Sequence, residues 1–410
     1  MKILFFTDHF YPEMSAPAGH VYERACIWLE DGHDVTVITN APNTPRGRVY
    51  EGYSNAWRFV EELGSVRVVR VKTYIAPNEG TFRRILDYLS YMVSSFVNAM
   101  FEERPDVVIS TSPHLFVPVA GVAAAGIFRV PHVFEVRDLW PASIAATTRL
   151  GRGRIYRMLE HLELLLYRRS ERVIAFSPSY VDDLVERGVP KAKIDLVLVG
   201  ANLQLFSRSE PDYELAQGLG LEGRFVVGYL GTLGLAHGLE NVLTTARLLQ
   251  DTAVTFLFVG EGAAKEALVR RVEVEGLTNV VFVPRQAKED VPRYWSICDA
   301  ALVHLKDDRV FEMVIPSKIF EAMAVGLPII YVGPRGEGSR IVEAEDAGIV
   351  VPSGDPEAFS KAVVRLATDP DYARRLSTNS AASAQKYSRE AQAEGTLESL
   401  ERAVKSRSRG

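Results

Sequence analysis

A short apolar run, a loop of small residues and a helix recur along most of this chain, and the series starts twice. KILFFTD (2–8) reads as a buried strand, followed by a loop rich in Pro, Ala and Gly and a helix containing Tyr22 to Glu30. HDVTVITN (33–40), VRVVRVK (66–72), DVVIST (106–111), PHVFEVRD (131–138) and RVIAFS (172–177) continue the pattern. Strands separated by helical stretches pair mostly in parallel, because a parallel crossover needs a dozen or more residues, usually a helix. Around 195–206 the chain turns polar. It then restarts with RFVVGYLGTLG (224–234), TFLFVGEG (255–262), NVVFVP (279–284), AALVHL (300–305) and LPIIYVG (327–333). Helices are expected near 240–250, 263–275, 288–297, 317–325 and 356–368. The expected organisation is α/β, with one domain over 1–203, a second over 204–385 and a helical tail over 386–410. From about 371 the tail is rich in alanine and charge and too poor in apolar residues for a core of its own.

The length of 410 residues allows two or three domains, and 47% hydrophobic with 24% charged residues excludes disorder as the main state. A net charge of −5 argues against a nucleic-acid partner. That charge is uneven: residues 1–200 hold 23 basic and 23 acidic side chains, so the remainder carries all of the excess. Cys26 and Cys298, far apart in sequence, exclude a disulfide framework or a Cys-rich zinc site and suit a reducing compartment. Ile3-Leu4-Phe5-Phe6 is too short for a signal-peptide core, and no run approaches the roughly 20 apolar residues of a membrane span. The expectation is a cytoplasmic protein, either free or at the inner face of the membrane.

In doubly wound sheets the ligand crevice lies at the carboxyl ends of the strands, and helix N-termini there suit phosphates. Three turns qualify: Pro12 to Gly19, Gly231-Thr232-Leu233-Gly234 running on to His237-Gly238, and Gly260-Glu261-Gly262. None matches the dinucleotide fingerprint or a Walker A loop. Each alone is explained by tight chain reversal, but two sheets that both open this way favour a ligand. In PSKIFEAMAVGLPII (316–330), Ser317 suits a helix N-cap and Gly326 a C-cap. Lys318 and Glu321 lie three apart on this short helix. They are either a diphosphate-binding cation with a ribose-binding carboxylate, or an ordinary i,i+3 surface pair worth about 0.2–0.5 kcal/mol.

That segment, FTDHFYPE near the start and VGYLGTLGLAHGLENVL at the midpoint together resemble the retaining GT-B glycosyltransferases of family four. The resemblance is strongest to the bacterial surface-polysaccharide enzymes of the fucosaminyltransferase and colanic-acid type. DGHDVTVIT (31–39), EVRDLWP (135–141), FVGEG (258–262) and YWSICDAALVHL (294–305) fall in the same order. The resemblance implies two Rossmann-like domains facing across a cleft, with a final helix crossing back to the first. It implies a nucleotide-sugar donor, UDP being the family-weighted choice, held mainly by the C-terminal domain at Gly231, Thr232, His237, Gly260, Arg285, Ser317, Lys318 and Glu321, with Gly19 from the N-terminal domain. Glu321 matches the second glutamate of the family's E-x7-E motif, whereas the first falls on Met313, with Glu312 adjacent but out of register. Thr232 and His237 stand where many members carry Arg and Lys, which leaves Lys318 as the cation for the diphosphate.

The resemblance places the acceptor, a glycan, lipid-linked or small molecule, in the N-terminal domain near His114, Arg137 and Asp138. Arg137, Asp138 and Lys318 are the expected catalytic residues. No protein nucleophile is assigned, since the leaving phosphate is thought to help deprotonate the acceptor. Asp138 is equally readable as a helix cap, and His114 as a satisfied loop histidine. No cofactor or metal is expected; Asp182-Asp183 and Asp307-Asp308 read as solvated charges. Residues 83–101, led by Arg83-Arg84, and residues 145–172, with seven arginines, suit either an anionic membrane surface or core-packing helices with solvated ends. Two other functions stand beside transfer: a nucleotide-sugar 2-epimerase, and a non-catalytic scaffold suggested by Met313, Thr232 and His237.

Overall fold

The computed structural model describes residues 1–13, 15–44, 47–75, 81–112, 114–138 and 153–407. The chain divides into two compact units, Met1–Leu198 with Gln392–Gly410, and Val199–Ala391. Sequence placed the breaks after 203 and 385. Residues 199–203 stay with the second unit because Ala201 bridges Ser388: its N–H donates to the Tyr387 carbonyl, and its own carbonyl accepts from Arg389, both at 2.8 Å.

Among the described residues the first unit holds eight strands in the order β3-β4-β2-β1-β5-β6-β7-β8. They are β1 Lys2–Phe6, β2 Asp34–Asn40, β3 Arg58–Leu63, β4 Val66–Val71, β5 Val107–Thr111, β6 His132–Val136, β7 Arg172–Ala175 and β8 Ile194–Leu196. All pairings are parallel except the β3–β4 hairpin at one edge. The second unit holds six parallel strands in the order β11-β10-β9-β12-β13-β14. These are β9 Phe225–Leu230, β10 Val254–Val259, β11 Val280–Val283, β12 Ala300–His304, β13 Ile329–Val332 and β14 Gly348–Val351. Counted within the unit, that order is 3-2-1-4-5-6, the Rossmann arrangement. The parallel strands of the first unit follow the same order with one more added. Each sheet therefore has a switch point where successive connections leave in opposite directions: between β1 and β5, and between β9 and β12.

Central strands are buried on both faces, and β10 is buried along all six residues, so they read as unbroken apolar runs. β3, β8 and β14 were not foreseen. β3 (RFVEEL) carries two glutamates on an exposed edge, and β8 and β14 are only three and four residues long.

The tail is two helices rather than one. Pro370–Ser383 packs in the second unit, a 3₁₀ turn spans Ala384–Tyr387, and Arg389–Arg407 carries the chain into the first. There Ala393, Leu400 and Ala403 are fully buried. Trp28 donates its indole N–H to the Ala393 carbonyl at 3.0 Å, Arg24 donates to Thr396 at 3.2 Å, and Ser399 donates to Asp195 at 2.6 Å. Small residues let this helix lie close, which answers how a tail with little apolar content is held. Among the described residues no helix is long and apolar enough to cross a membrane.

Candidate functional site

The second unit's site forms where β9 and β10 end. Leu230 and Val259 are register partners, and the chain leaves them through Gly231 and Gly260. The Gly231 N–H donates to the Val259 carbonyl at 2.8 Å, and the Gly260 N–H to Val283 at 3.0 Å. Gly260 has φ +155°, and a Cβ there would lie 1.9 Å from the Gly231 carbonyl oxygen. Gly231, at φ +136°, would bring a Cβ within 2.6 Å of Lys318 Cε. Both positions exclude a side chain, so two loops and a lysine stack in one place.

Lys318 opens the helix Lys318–Val325, and Gly326 closes it in the left-handed conformation. Lys318 Nζ lies 5.0 Å from the centroid of the Tyr229 ring, over its negative face. Lys318 and Glu321 are both half-buried, so they are not a surface pair. Burial pushes the Lys318 ammonium below its usual pKa and the Glu321 carboxyl above its own, and each charge partly offsets the effect on the other. Arg389 and Lys288 add positive charge near Glu321.

His237 ends the 3₁₀ turn Leu235–His237, and its carbonyl accepts from His304 Nδ1 at 2.6 Å across the β9/β12 switch point. Burial pushes both histidines down to about 4, and Lys318 adds to this for His237. At neutral pH His237 is therefore uncharged and supplies no cation in place of the basic residue that many members of the resembling family carry. The Thr232 carbonyl accepts from the Tyr229 hydroxyl at 2.8 Å. Arg285 is exposed two residues beyond β11, on the same end of the sheet.

Two expectations need correction. Ser317 does not cap: its backbone is already helical and its side chain makes no capping bond. Gly19 lies inside the helix Ala16–Glu30, where its N–H donates to the Ser15 carbonyl at 3.2 Å. That donor is taken by the helix and is not presented to a phosphate. Met313 is half-buried, and the Glu312 carbonyl beside it accepts the N–H of Glu337 at 2.7 Å. Glu337 is a buried carboxylate that sequence reasoning passed over. A cavity of about 390 Å³ lined by Arg208, Trp295, Asp299, Pro328 and Arg374 lies where β12 and β13 begin, the end opposite Gly231.

In the first unit, His114 Nε2 is 3.0 Å from Asp8 Oδ2, across the β1/β5 switch point. Both side chains are buried. Asp8 is also 3.6 Å from His9 Nε2, and His9 Nδ1 is 2.8 Å from Glu13. Glu13 Oε1 accepts the N–H groups of Asn43 at 2.9 Å and Thr44 at 3.0 Å. Tyr88 stacks on His114 with ring centroids 4.0 Å apart. His114 thus belongs to a larger, mostly buried group in which Asp8, His9 and Glu13 were missed, as was Asp87, the residue before the Tyr88 that stacks on His114. The D-H-x3-E spacing in FTDHFYPE was their one sequence signal.

Arg137 is the second correction in this unit. Its guanidinium donates to Thr111 Oγ1 at 2.8 Å and Glu135 Oε1 at 3.1 Å and packs over Phe176. Glu135 is fully buried and also pairs with Arg24 at 2.5 Å. The two arginines hold the carboxyl at about 2 despite its burial. Arg137 is therefore tied to a buried carboxylate rather than presented to an acceptor. Asp138 is exposed just past β6, its N–H 3.4 Å from Ser112 Oγ; no helix cap is described there, since 139–152 lie outside the described residues. Asp183 pairs with Arg187 at 3.5 Å, and Asp307 and Asp308 are exposed. Among the described residues no group of three or more His, Cys, Asp or Glu is placed to hold a metal ion.

Two Rossmann-like α/β units in one chain, with a final helix that returns to the first, define a GT-B fold. The comparisons agree: residues 17–200 match the glycosyl transferase 4-like domain, and residues 214–383 match glycosyl transferases group 1. The two matches together span most of the chain, which thus carries a glycosyl transferase 4-like domain followed by a glycosyl transferases group 1 domain. Over 334 residues it is 28% identical to WcaI of Escherichia coli, named as a colanic acid biosynthesis glycosyl transferase, covering 80% of this chain and 82% of WcaI. The sucrose-phosphate synthase of Thermosynechococcus elongatus has a similar structure, with a TM-score of 0.77 at 18% identity and 99% of each chain covered. HepE of Anabaena in complex with UDP aligns with a TM-score of 0.71 at 18% identity, over 98% of this chain and all of that one.

Proposed function

We propose that this chain transfers a sugar, with retention of configuration, from a UDP-sugar to a hydroxyl of a glycan, lipid-linked or small-molecule acceptor in polysaccharide biosynthesis, without a metal. The observation that carries this is Lys318 lying over Gly231 and Tyr229 at the carboxyl end of β9, one turn before a half-buried Glu321. A lysine with backbone N–H groups can stabilise a leaving diphosphate, and a carboxylate can accept from ribose hydroxyls. That HepE is described with UDP and with UDP-glucose, and WcaI by its colanic acid role, supports the substrate class.

Calorimetry with UDP in the presence of EDTA tests the donor and the metal together; no binding overturns the donor assignment. NMR of the glycosidic product then reads the anomeric configuration, and inversion refutes retention. An epimerised nucleotide sugar formed without acceptor would replace transfer by epimerisation.

The acceptor side of this reading includes contact with the inner face of an anionic membrane. Ile85, Leu89 and Val93 on the helix Thr81–Ala99, and Ile155, Met158 and Leu165 on Arg154–Arg169, are exposed beside Arg83, Arg154, Arg157, Arg168 and Arg169. Arg149 and Arg152 lie outside the described residues. Salt-sensitive co-sedimentation with phosphatidylglycerol vesicles is expected, and its absence refutes this part alone.

A further inference from the structure

The first unit's sheet ends in an open edge. β3 pairs only with β4, and no described strand lies along its other side. Among the described edge strands of the two sheets, β8, β11 and β14 run for three or four residues, whereas β3 runs for six. It contains no proline. An unpaired row of N–H and C=O groups of that length is a template for a further strand unless brevity, proline or charge guards it. Apolar side chains gather there as well. Trp57, Phe59 and Val60 are exposed on or just before the strand, and so is Phe101, whose ring centroid lies 5.9 Å from the Arg58 guanidinium.

The two glutamates of RFVEEL do not guard the edge alike. Register with β4 sets Arg58, Val60 and Glu62 on one face, opposite Val71, Val69 and Arg67, and Phe59, Glu61 and Leu63 on the other. Glu61 is held by the buried Arg70, so its charge is matched within the copy. Glu62 is exposed and has no ion pair among the described residues. Glu102 serves both Arg58 at 2.7 Å and Arg67 at 3.1 Å, so two guanidiniums share one carboxylate and leave positive charge over. One face of the edge therefore carries positive charge at Arg58 and negative charge at Glu62, each two residues from Val60.

We infer that β3 pairs antiparallel with β3 of a second copy of this chain, about a two-fold axis at Val60. In that register Arg58 of each copy faces Glu62 of the other, Val60 meets its own counterpart, and Trp57 comes beside Leu63. Phe59 meets a Glu61 whose charge Arg70 already holds. An axis at Glu61 would instead set like charges opposite each other, which cross-strand pairing disfavours. Main-chain hydrogen bonds supply the contact, and the alternating side chains fix its register. The contact is isologous, so it closes at the dimer and runs the two sheets into one. It does not depend on the glycosyltransferase reading.

Sedimentation velocity of the full chain over a concentration series should show a monomer–dimer equilibrium. Glu62→Arg turns both cross-strand charge pairs repulsive and should raise the dissociation constant about tenfold or more. Its melting curve should match the parent's, because the side chain is exposed. Val60→Cys tests the register. Facing Cα atoms of an antiparallel pair lie about 4.5–5.5 Å apart, within reach of a disulfide, so diamide should trap a covalent dimer through the introduced thiol. The parent, with Cys26 half-buried and Cys298 buried, should not be trapped. A parent that stays monomeric, a Glu62→Arg variant that dimerises with the parent's affinity, or a Val60→Cys variant that does not cross-link each overturns the inference. A chain monomeric alone that binds phosphatidylglycerol vesicles, and loses that binding in Trp57→Ala, gives the edge to a membrane and overturns it too.

Discussion

Lys318→Ala removes the one side chain that ties the glycine loop, Tyr229 and Glu321 together, and its effect can be worked from its surroundings. A charge-assisted hydrogen bond to a diphosphate is worth about 1.5–3 kcal/mol, so UDP affinity should fall about 10- to 150-fold. The upper half of that range is expected, because Lys318 is half-buried and less screened than a surface lysine. The cost to the fold is smaller. The contact with Tyr229 at 5.0 Å is worth about 0.5–1 kcal/mol. A chain stable by about 5–15 kcal/mol stays folded after that loss. Calorimetry with UDP at low and moderate salt, alongside a melting curve, reads both quantities, and Lys318→Arg keeps the charge as a control. If UDP binds the alanine variant within twofold of the parent while the melting point holds within about 2 °C, Lys318 does not carry diphosphate charge.

Gly260→Ala should destabilise the second unit by about 2–3 kcal/mol and loosen UDP binding. Its Cβ would lie 1.9 Å from the Gly231 carbonyl, forcing the two loops apart; normal urea unfolding would refute this. Arg137→Ala should cost about 2–4 kcal/mol of stability in the first unit, because the buried Glu135 carboxylate loses one of its two arginines and keeps Arg24 with the Thr111 hydroxyl. A variant that loses activity with unchanged unfolding would return Arg137 to a direct role in transfer. His132, fully buried between Ser110 at 2.9 Å and Ser170 at 2.8 Å, is pushed down to about 3 by burial. The unfolded chain binds that proton more tightly, so its contribution is intact above about 6.5 and lost as pH falls from there toward 3. Between pH 7 and 5, urea unfolding of the parent should lose about 2 kcal/mol more than His132→Gln, and equal losses would show that His132 is protonated in the native state.

The central strands were legible because burial on both faces makes them continuous apolar runs, and β10 is the clearest of them. β3 was not, since Glu61 and Glu62 on an edge strand look like a loop. The second unit's site was legible through local spacing: Lys318 and Glu321 share one helix, and Gly231 and Gly260 each follow a strand. The first unit's cluster was not, because Asp8, Asp87 and His114 meet only when strand order brings β1 beside β5. Arg137 misled for the same reason, as its partner Glu135 became a buried charge only once β6 was packed. Gly19 misled through position: a small residue near a helix start looks available, yet one turn in, its N–H already belongs to the helix.

The first unit is discontinuous in sequence, completed by Arg389–Arg407 after the whole of the second has passed. During synthesis the ribosome delivers the eight described strands of that unit long before the helix that covers Trp28 and accepts from Arg24. Until then a nascent chain holds an uncovered aromatic and a buried arginine short of a partner. The second unit, contiguous and with its own sheet, can close first. The order of maturation then runs against the order of translation, because Arg389–Arg407 completes a unit whose first strand is Lys2–Phe6.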